Sequence, residues 1–141
     1  MSRTQFEGVR DFPKGTRTAA DAAAAIGCEV GQICKSLVFR RAGDDGAAVL
    51  VIASGANRVD EARLRVVKAD ADFVRAQTGY AIGGVPPFGH LREIETVVDE
   101  DLLRFETVWA AAGTPSSVFP IAPADLVERT GARVQRVRPD G

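Results

Sequence analysis

The sequence is poor in the side chains that most often build catalytic or metal sites. Its 141 residues include one histidine, two cysteines, one tryptophan and one tyrosine. A Ser–His–Asp triad would have to use His90, and no serine lies in a Gly-x-Ser-x-Gly motif. Two cysteines and one histidine are too few for a convincing zinc site, and their spacing matches none of the usual ones. The sequence therefore favours a site without a protein nucleophile, and it predicts neither a metal nor a cofactor.

An excess of positive charge is also missing. Lysine and arginine number 18 and aspartate and glutamate 19, so the net charge is −1. Proteins that hold nucleic acid along many phosphates carry a basic excess, so a long electrostatic contact is not expected, although a small contact at one nucleotide stays open. The chain has no apolar run of membrane-spanning length, and MSRTQFEGVR lacks the apolar core of a signal peptide. We expect a cytoplasmic protein in which Cys28 and Cys34 are free thiols.

Glycine, proline and capping residues divide the chain into short elements. The predicted helices cover 19–26, 59–67, 71–78 and a segment that begins at Pro123 and ends at Gly131, with a helical turn at EVGQIC. The predicted strands are 35–41, AVLVIAS, EIETVVDE, ETVWAAAG, SVFPIA and RVQRV, with a turn at AGDDGA between the first two. Strands outnumber helices and no long linker interrupts them. The sequence therefore predicts one α+β domain over residues 1–141, with a curved mixed sheet or barrel-like core and flanking helices.

The segment GQICKSLVFR places a lysine within an apolar strand. Side chains alternate along a strand, so Lys35 shares a face with Ile33, Leu37 and Phe39. A lysine on such a face either extends its ammonium to solvent, as edge-strand lysines do, or lies in a pocket with a negative partner. The strand pattern by itself leaves both interpretations open.

The loop AIGGVPPFGH, residues 81–90, is the second unusual segment. Its glycines permit positive φ angles and close approach to a ligand, and its prolines stiffen the exit of the turn. Such a loop can direct several backbone N–H groups at an anion or a developing oxyanion. A stiff surface connection between a helix and a strand is the alternative, and the loop alone favours it.

Taken together, the segments of the chain resemble a known family. In order they are TRTAADAAAAIG, QICKSLVFR, VLVIASGANRVD, TGYAIGGVPPFGH and PADLVERTGARV. This order is similar to the YbaK/prolyl-tRNA-synthetase-associated domain family of aminoacyl-tRNA deacylases, from about residue 9 to residue 137. The most specific matches are the lysine of KSLVF and the Gly-x-x-x-Pro loop, which here are Lys35 and residues 83–87.

The resemblance implies a compact, sheet-rich domain that removes a wrongly attached amino acid from the 3′-terminal ribose of tRNA. Backbone groups and the ribose hydroxyl of the substrate would position and activate water. Lys35 would orient the acceptor end through its phosphate or ribose, and a second role for it, as a general base with a lowered pKa, stays open. Gly83 is assigned with Lys35 to catalysis. The residues assigned to substrate binding are Gly84, Val85, Pro87, Ser54 and His90.

The expected partner is the acceptor end of misacylated tRNA, and a tRNA synthetase that carries the RNA is a further candidate. The amino acid removed is expected to be small, such as Cys, Ala or Ser on tRNA-Pro, because a pocket of this kind discriminates by size. The alternative function is a non-catalytic module of the same fold that binds an aminoacyl or nucleotide ligand or docks on a synthetase. A small esterase with a conventional nucleophile is disfavoured, because no nucleophile motif is present.

Overall fold

Two β-sheets and four α-helices make up the part of the chain that the computed structural model describes, residues 6–12 and 18–139. The strands are β1 (Arg10–Asp11), β2 (Cys34–Arg41), β3 (Asp44–Ser54), β4 (Val66–Lys68), β5 (Glu95–Asp99), β6 (Val108–Ala111), β7 (Ser117–Ile121) and β8 (Arg133–Gln135). The α-helices are α1 (Ala19–Ile26), α2 (Glu61–Leu64), α3 (Ala71–Thr78) and α4 (Pro123–Thr130), and Val30–Gln32 and Glu100–Arg104 form 3₁₀ helices. This arrangement confirms the predicted α+β class.

The larger sheet has five strands in the order β4-β2-β3-β5-β8. The β2–β3 and β2–β4 pairs are antiparallel, whereas β3–β5 and β5–β8 are parallel. The strand β3 is central, and its residues 49–53 are almost fully buried. Because β3 and β5 run in the same direction, their carboxyl ends lie at the same edge of the sheet, next to the start of β2.

The smaller sheet, β1-β7-β6, is antiparallel. Among the described residues, its one backbone connection to the larger sheet is an isolated parallel bridge between Ile33 and Trp109 of β6. The main core lies between the two sheets and includes three packed rings, those of Phe6, Phe88 and Phe119, with centroids 4.9–5.9 Å apart. The predicted curved mixed sheet is thus found as two sheets joined by one bridge.

Local capping explains why the helices begin and end where the sequence predicts. Thr18 Oγ1 accepts a hydrogen bond from the N–H of Asp21 (3.0 Å), and Gly27 ends α1 in the left-handed conformation. Gly79 and Gly131 end α3 and α4 in the same way. Predictions that concern residues 1–5, 13–17, 140 and 141 lie outside the described residues. None of the described helices is long and apolar enough to cross a membrane.

Two predicted segments differ from the structure by more than two residues at a boundary. The helix predicted over 59–67 ends at Leu64, because Arg65 takes a left-handed conformation (φ 55°) and Val66 then pairs with Arg41 as part of β4. Burial of Val66 in the core outweighs the helical pattern of that segment. The turn predicted at AGDDGA is also shorter than expected, since β3 already begins at Asp44.

Candidate active site

A cavity of about 730 Å³ lies between β2, α1, the smaller sheet and the glycine-rich loop. This volume lies within the usual range for small-molecule sites. Most of its lining side chains are apolar, and the polar ones include Thr18, Lys35, Ser36, Lys68, Thr114 and Ser117. The cavity can therefore bury an apolar or small group while a few polar atoms fix its orientation.

The cavity follows an edge of β2 that has little strand pairing. On the side away from β3, β4 pairs only with residues 39–41, and β6 reaches the strand only through the bridge at Ile33. Within the described residues, positions 34–38 thus have no strand partner on that side, and all five line the cavity. A ligand in the cavity meets the strand edge itself as well as its side chains.

Lys35 lines this cavity and is half-buried. Its Nζ donates a hydrogen bond to the backbone carbonyl of Asn57. Burial lowers the pKa of Lys35 below its ordinary value, and the nearby carboxylate of Asp99 opposes this by favouring the charged form. Leu37 and Phe39 lie on the same face of β2 and pack into one cluster, as alternation predicts, whereas Ile33 packs against α1 and Trp109.

The turn that holds Asn57 is fixed by a buried carboxylate. Asp99, at the end of β5, has no exposed surface. Its Oδ2 accepts hydrogen bonds from the N–H of Ser54 (3.0 Å) and from Nδ2 of Asn57 (2.9 Å). Its Oδ1 accepts one from the N–H of Asp101 (2.9 Å). These bonds replace the water that an ionised carboxylate would otherwise need.

A second carboxylate continues the same network toward the surface. Nδ2 of Asn57 also donates to Oδ2 of Asp101 (2.8 Å), which accepts in turn from Nε of Arg138 (2.8 Å). These hydrogen bonds from Arg138 and Asn57 lower the pKa of Asp101. The carboxamide of Asn57 is therefore held between two carboxylates, and its backbone carbonyl accepts the hydrogen bond from Lys35.

Only part of the loop of residues 83–87 lines the cavity. Gly83 has φ of +92° and lines the cavity together with Ile82 and Val85. Gly84 lies inward, and a Cβ added there would stand 2.8 Å from the backbone carbon of Thr114. Its N–H donates to the carbonyl of Ala81 (3.1 Å). The loop is thus a packed element whose glycines permit both its turn and its contact with the 113–115 segment.

Four of the residues predicted for the site lie off the cavity wall. Gly84 and Pro87 are buried in the loop. Ser54 is buried, and its Oγ donates to the carbonyl of Gly31 (2.8 Å). Nε2 of His90 is 2.6 Å from the carbonyl oxygen of Pro86, and burial lowers the pKa of this histidine. The structure therefore brings together Lys35, Gly83 and Val85 around the cavity and places the other four behind them.

Sequence reasoning missed Asn57 and Asp99. Asn57 lies three residues after the buried apolar run AVLVIAS, and Asp99 is the last residue of the run ETVVD. Had the two runs been paired as parallel strands, their carboxyl ends would have been expected at one edge, where polar residues gather in α/β sheets. The pairing of these two strands depends on contacts between residues far apart in the sequence, so the local sequence pattern does not predict it. Among the described residues, no group of three or more His, Cys, Asp or Glu is arranged to hold a metal ion.

Comparison with known proteins places the chain in a family. Residues 13–128 match the aminoacyl-tRNA editing domain family. The chain is 36% identical over 132 residues to the uncharacterised protein YwhH of Bacillus subtilis (strain 168), covering 89% of this chain and 83% of that one. It is 24% identical over 127 residues to EbsC of Enterococcus faecalis (strain ATCC 700802 / V583), a candidate Cys-tRNA(Pro)/Cys-tRNA(Cys) deacylase, covering 85% and 76%.

A solved structure agrees with these matches. It is that of a candidate trans-editing enzyme for prolyl tRNA synthetase, with a TM-score of 0.86 and 45% identity, covering 94% of this chain and 86% of that one. The fold and the cavity therefore define an editing-type domain. This chain belongs to the aminoacyl-tRNA editing domain family, which confirms the resemblance seen in the sequence.

Proposed function

We propose that the protein is a trans-editing hydrolase that deacylates misacylated tRNA, with a small amino acid such as Cys, Ala or Ser on tRNA-Pro as the substrate. The observation that supports this most directly is the cavity, whose lining includes both a lysine held by a backbone carbonyl and a glycine with a positive φ angle. EbsC is a candidate Cys-tRNA(Pro)/Cys-tRNA(Cys) deacylase and the solved relative is a candidate trans-editing enzyme for prolyl tRNA synthetase, which agrees with this class of substrate.

In this proposal the protein binds and orients the aminoacyl-tRNA. The ribose hydroxyl of the substrate helps to activate the water that attacks the ester. The ammonium of Lys35 has three N–H groups, and Asn57 takes one, so two remain for a phosphate or ribose oxygen. Backbone N–H groups of the loop at Gly83 would hold the ester carbonyl and the developing oxyanion. Water would be activated with help from the ribose hydroxyl, as the resemblance to the family implies, so this proposal needs no protein nucleophile.

The amino-acid side chain would lie among the apolar residues of the cavity. Each methylene that does not fit costs about 1–3 kcal/mol, so size alone separates small from large side chains. Ser36, beside Lys35, has a buried hydroxyl without a hydrogen-bond partner among the described residues. A hydroxyl or thiol on the substrate would supply that partner, which favours serine or cysteine over alanine.

The test is deacylation of tRNA-Pro charged with Cys, Ala or Ser, by the wild type and by Lys35→Ala. We expect clear wild-type activity on at least one of the three and a loss of about 100-fold or more in kcat/KM for the variant, as when one charge-stabilising group is removed. Lys68→Ala is the matched control. It removes the same charge from the same cavity, but at an exposed position where solvent screens it, so its loss should be much smaller.

The outcomes separate the hypotheses. A wild type that hydrolyses none of the three but binds aminoacyl-tRNA would replace the hydrolase with a binding module of the same fold. Equal activity in the wild type and in folded Lys35→Ala would keep the hydrolase and remove Lys35 from its mechanism. Circular dichroism of each variant shows whether the fold is retained.

A further inference from the structure

Asp99 is a fully buried carboxylate to which the chemistry above assigns no role. It receives hydrogen bonds from the N–H of Ser54, the N–H of Asp101 and Nδ2 of Asn57, at 2.9–3.0 Å. A buried charge is costly unless hydrogen bonds and a nearby opposite charge compensate for it. A neutral side chain would avoid that cost, so a buried carboxylate at this position indicates a function.

Lys35 supplies the nearby opposite charge, and Asn57 connects it to Asp99. The carboxamide of Asn57 bonds Asp99, and the carbonyl of the same residue accepts the hydrogen bond from Nζ of Lys35. Other titratable groups near this unit include the Asp101–Arg138 pair, joined at 2.8 Å, Glu100 and Arg104 of the following 3₁₀ helix, the buried thiol of Cys34, and Lys68 at an exposed position of the cavity lining. Of the charged groups, it is Asp99 whose charge opposes the effect of burial on the pKa of Lys35.

We propose that Asp99 is a positioning residue for Lys35: through Asn57 it holds the lysine at the cavity wall in its charged form, so that Lys35 orients the substrate and does not act as a general base. This inference rests on the proposed function. It decides between the two roles that the sequence leaves open for Lys35.

The two roles predict opposite effects of Asp99→Asn. Burial lowers the pKa of Lys35 and Asp99 opposes that effect, so the loss of the carboxylate lowers the pKa further. If the charged lysine orients the substrate, kcat/KM falls, and it falls more as the pH rises. If the neutral amine is a general base, more of it is present near pH 8 and kcat rises there.

The charge of Lys35 can be followed without any activity. The sequence has three lysines, Lys14, Lys35 and Lys68, so ¹³C-lysine NMR gives few signals, and Lys35→Ala assigns the relevant one. We expect Asp99→Asn to lower the titration midpoint of Lys35 by about 1 pH unit. Asp101→Asn is the matched control, because it makes the same chemical change at the other carboxylate bonded to Asn57 and should leave the midpoint in place.

Several results would overturn the inference. One is an unchanged Lys35 midpoint in Asp99→Asn, and another is an equal shift in both variants, since loosening of the network would then explain it. A rise in kcat near pH 8 would assign the general-base role instead. An inactive wild type would remove the proposed function, whereas the NMR comparison would still decide whether Asp99 sets the charge of Lys35.

A second variant keeps the test available if Asp99→Asn does not fold. Asn57→Ala keeps every charge and removes the carboxamide between the two carboxylates. Affinity for a non-hydrolysable 3′-aminoacyl-amide of adenosine is then measured in the wild type, in each single variant and in the Lys35→Ala, Asn57→Ala double variant. We expect Asn57→Ala to weaken binding about tenfold in the wild-type background and to have no further effect without Lys35. Equal losses in both backgrounds would show a purely structural role and overturn the inference.

Discussion

At the scale of single residues, Lys35 is accommodated in a core strand because one of its N–H groups has a fixed acceptor. The Asn57 carbonyl fixes the position of Nζ at the cavity wall, and the remaining N–H groups stay available to a ligand. Sequence alternation predicted the face of this lysine and left open whether it reaches solvent or lies in a pocket with a negative partner. The nearby carboxylate of Asp99 was not predictable, because 64 positions of sequence separate the two residues and only sheet pairing brings them together.

His90 illustrates the opposite case, a rare side chain whose contacts are structural. Its Nε2 lies 2.6 Å from the Pro86 carbonyl oxygen, and the residue does not line the cavity. We expect His90→Gln to cost about 1 kcal/mol of stability, the usual value of one hydrogen bond, while kcat/KM changes less than threefold. Urea unfolding and deacylation assays check this. A loss of activity comparable to that of Lys35→Ala would instead place His90 in the chemistry.

The same histidine predicts a pH dependence of stability. Burial lowers the pKa of His90 from 6.5, so the folded state binds its proton less well than the unfolded state does. The contribution of neutral His90 to the free energy of unfolding is complete above pH 6.5. It is lost as the pH falls from 6.5 through the lower pKa of the folded state. Wild-type urea stability should therefore decrease from pH 7.5 to pH 5, and His90→Gln should decrease less. Parallel curves for the two proteins would contradict this assignment.

At the scale of elements, the glycine-rich loop shows what local sequence does and does not specify. Its glycines and prolines correctly predict an irregular loop, but by themselves they favour a surface connection over a ligand site. In the structure Gly83 and Val85 of this loop line the cavity. The glycines and prolines do not predict that Gly84 is needed for packing, because the Thr114 backbone that excludes a side chain there comes from a distant turn. The helix predicted over 59–67 failed for a similar reason, since Val66 is drawn into the core beside β2.

Two glycines with similar positive φ angles allow the stability of the fold to be tested separately from the function of this loop. Gly83 in the loop and Gly43 in the β2–β3 turn have φ of +92° and +84°, and a Cβ at either would meet no atom closer than 3.9 Å. Substitution of either glycine by alanine should lower the free energy of unfolding by roughly 1–2 kcal/mol. Only Gly83→Ala should also reduce deacylation, because Gly43 is remote from the cavity lining. Equal activity of the two variants would remove Gly83 from the site.

At the scale of the whole molecule, the net charge of −1 limits how the protein meets RNA. A contact confined to the acceptor end would neutralise about one to three phosphates, so the affinity for tRNA should fall only gently with salt. Fluorescence anisotropy between 50 and 300 mM salt measures this slope, and Lys35→Ala should reduce it by about one if its ammonium contacts a phosphate. A slope equivalent to six or more phosphates would contradict the small contact.

The hydrogen-bond network beneath Lys35 also affects when the candidate site can form during synthesis of the chain. Asn57 bonds a carboxylate 42 positions later in the chain, and Asp101 bonds Arg138 a further 37 positions on. A nascent chain halted before residue 95 would already contain β2, the lysine, its acceptor Asn57 and the glycine-rich loop, yet it would lack Asp99, which fixes Asn57 in place. If Asp99 positions the lysine as proposed, residues up to Asp99 must therefore leave the ribosome before Lys35 is held at the cavity wall.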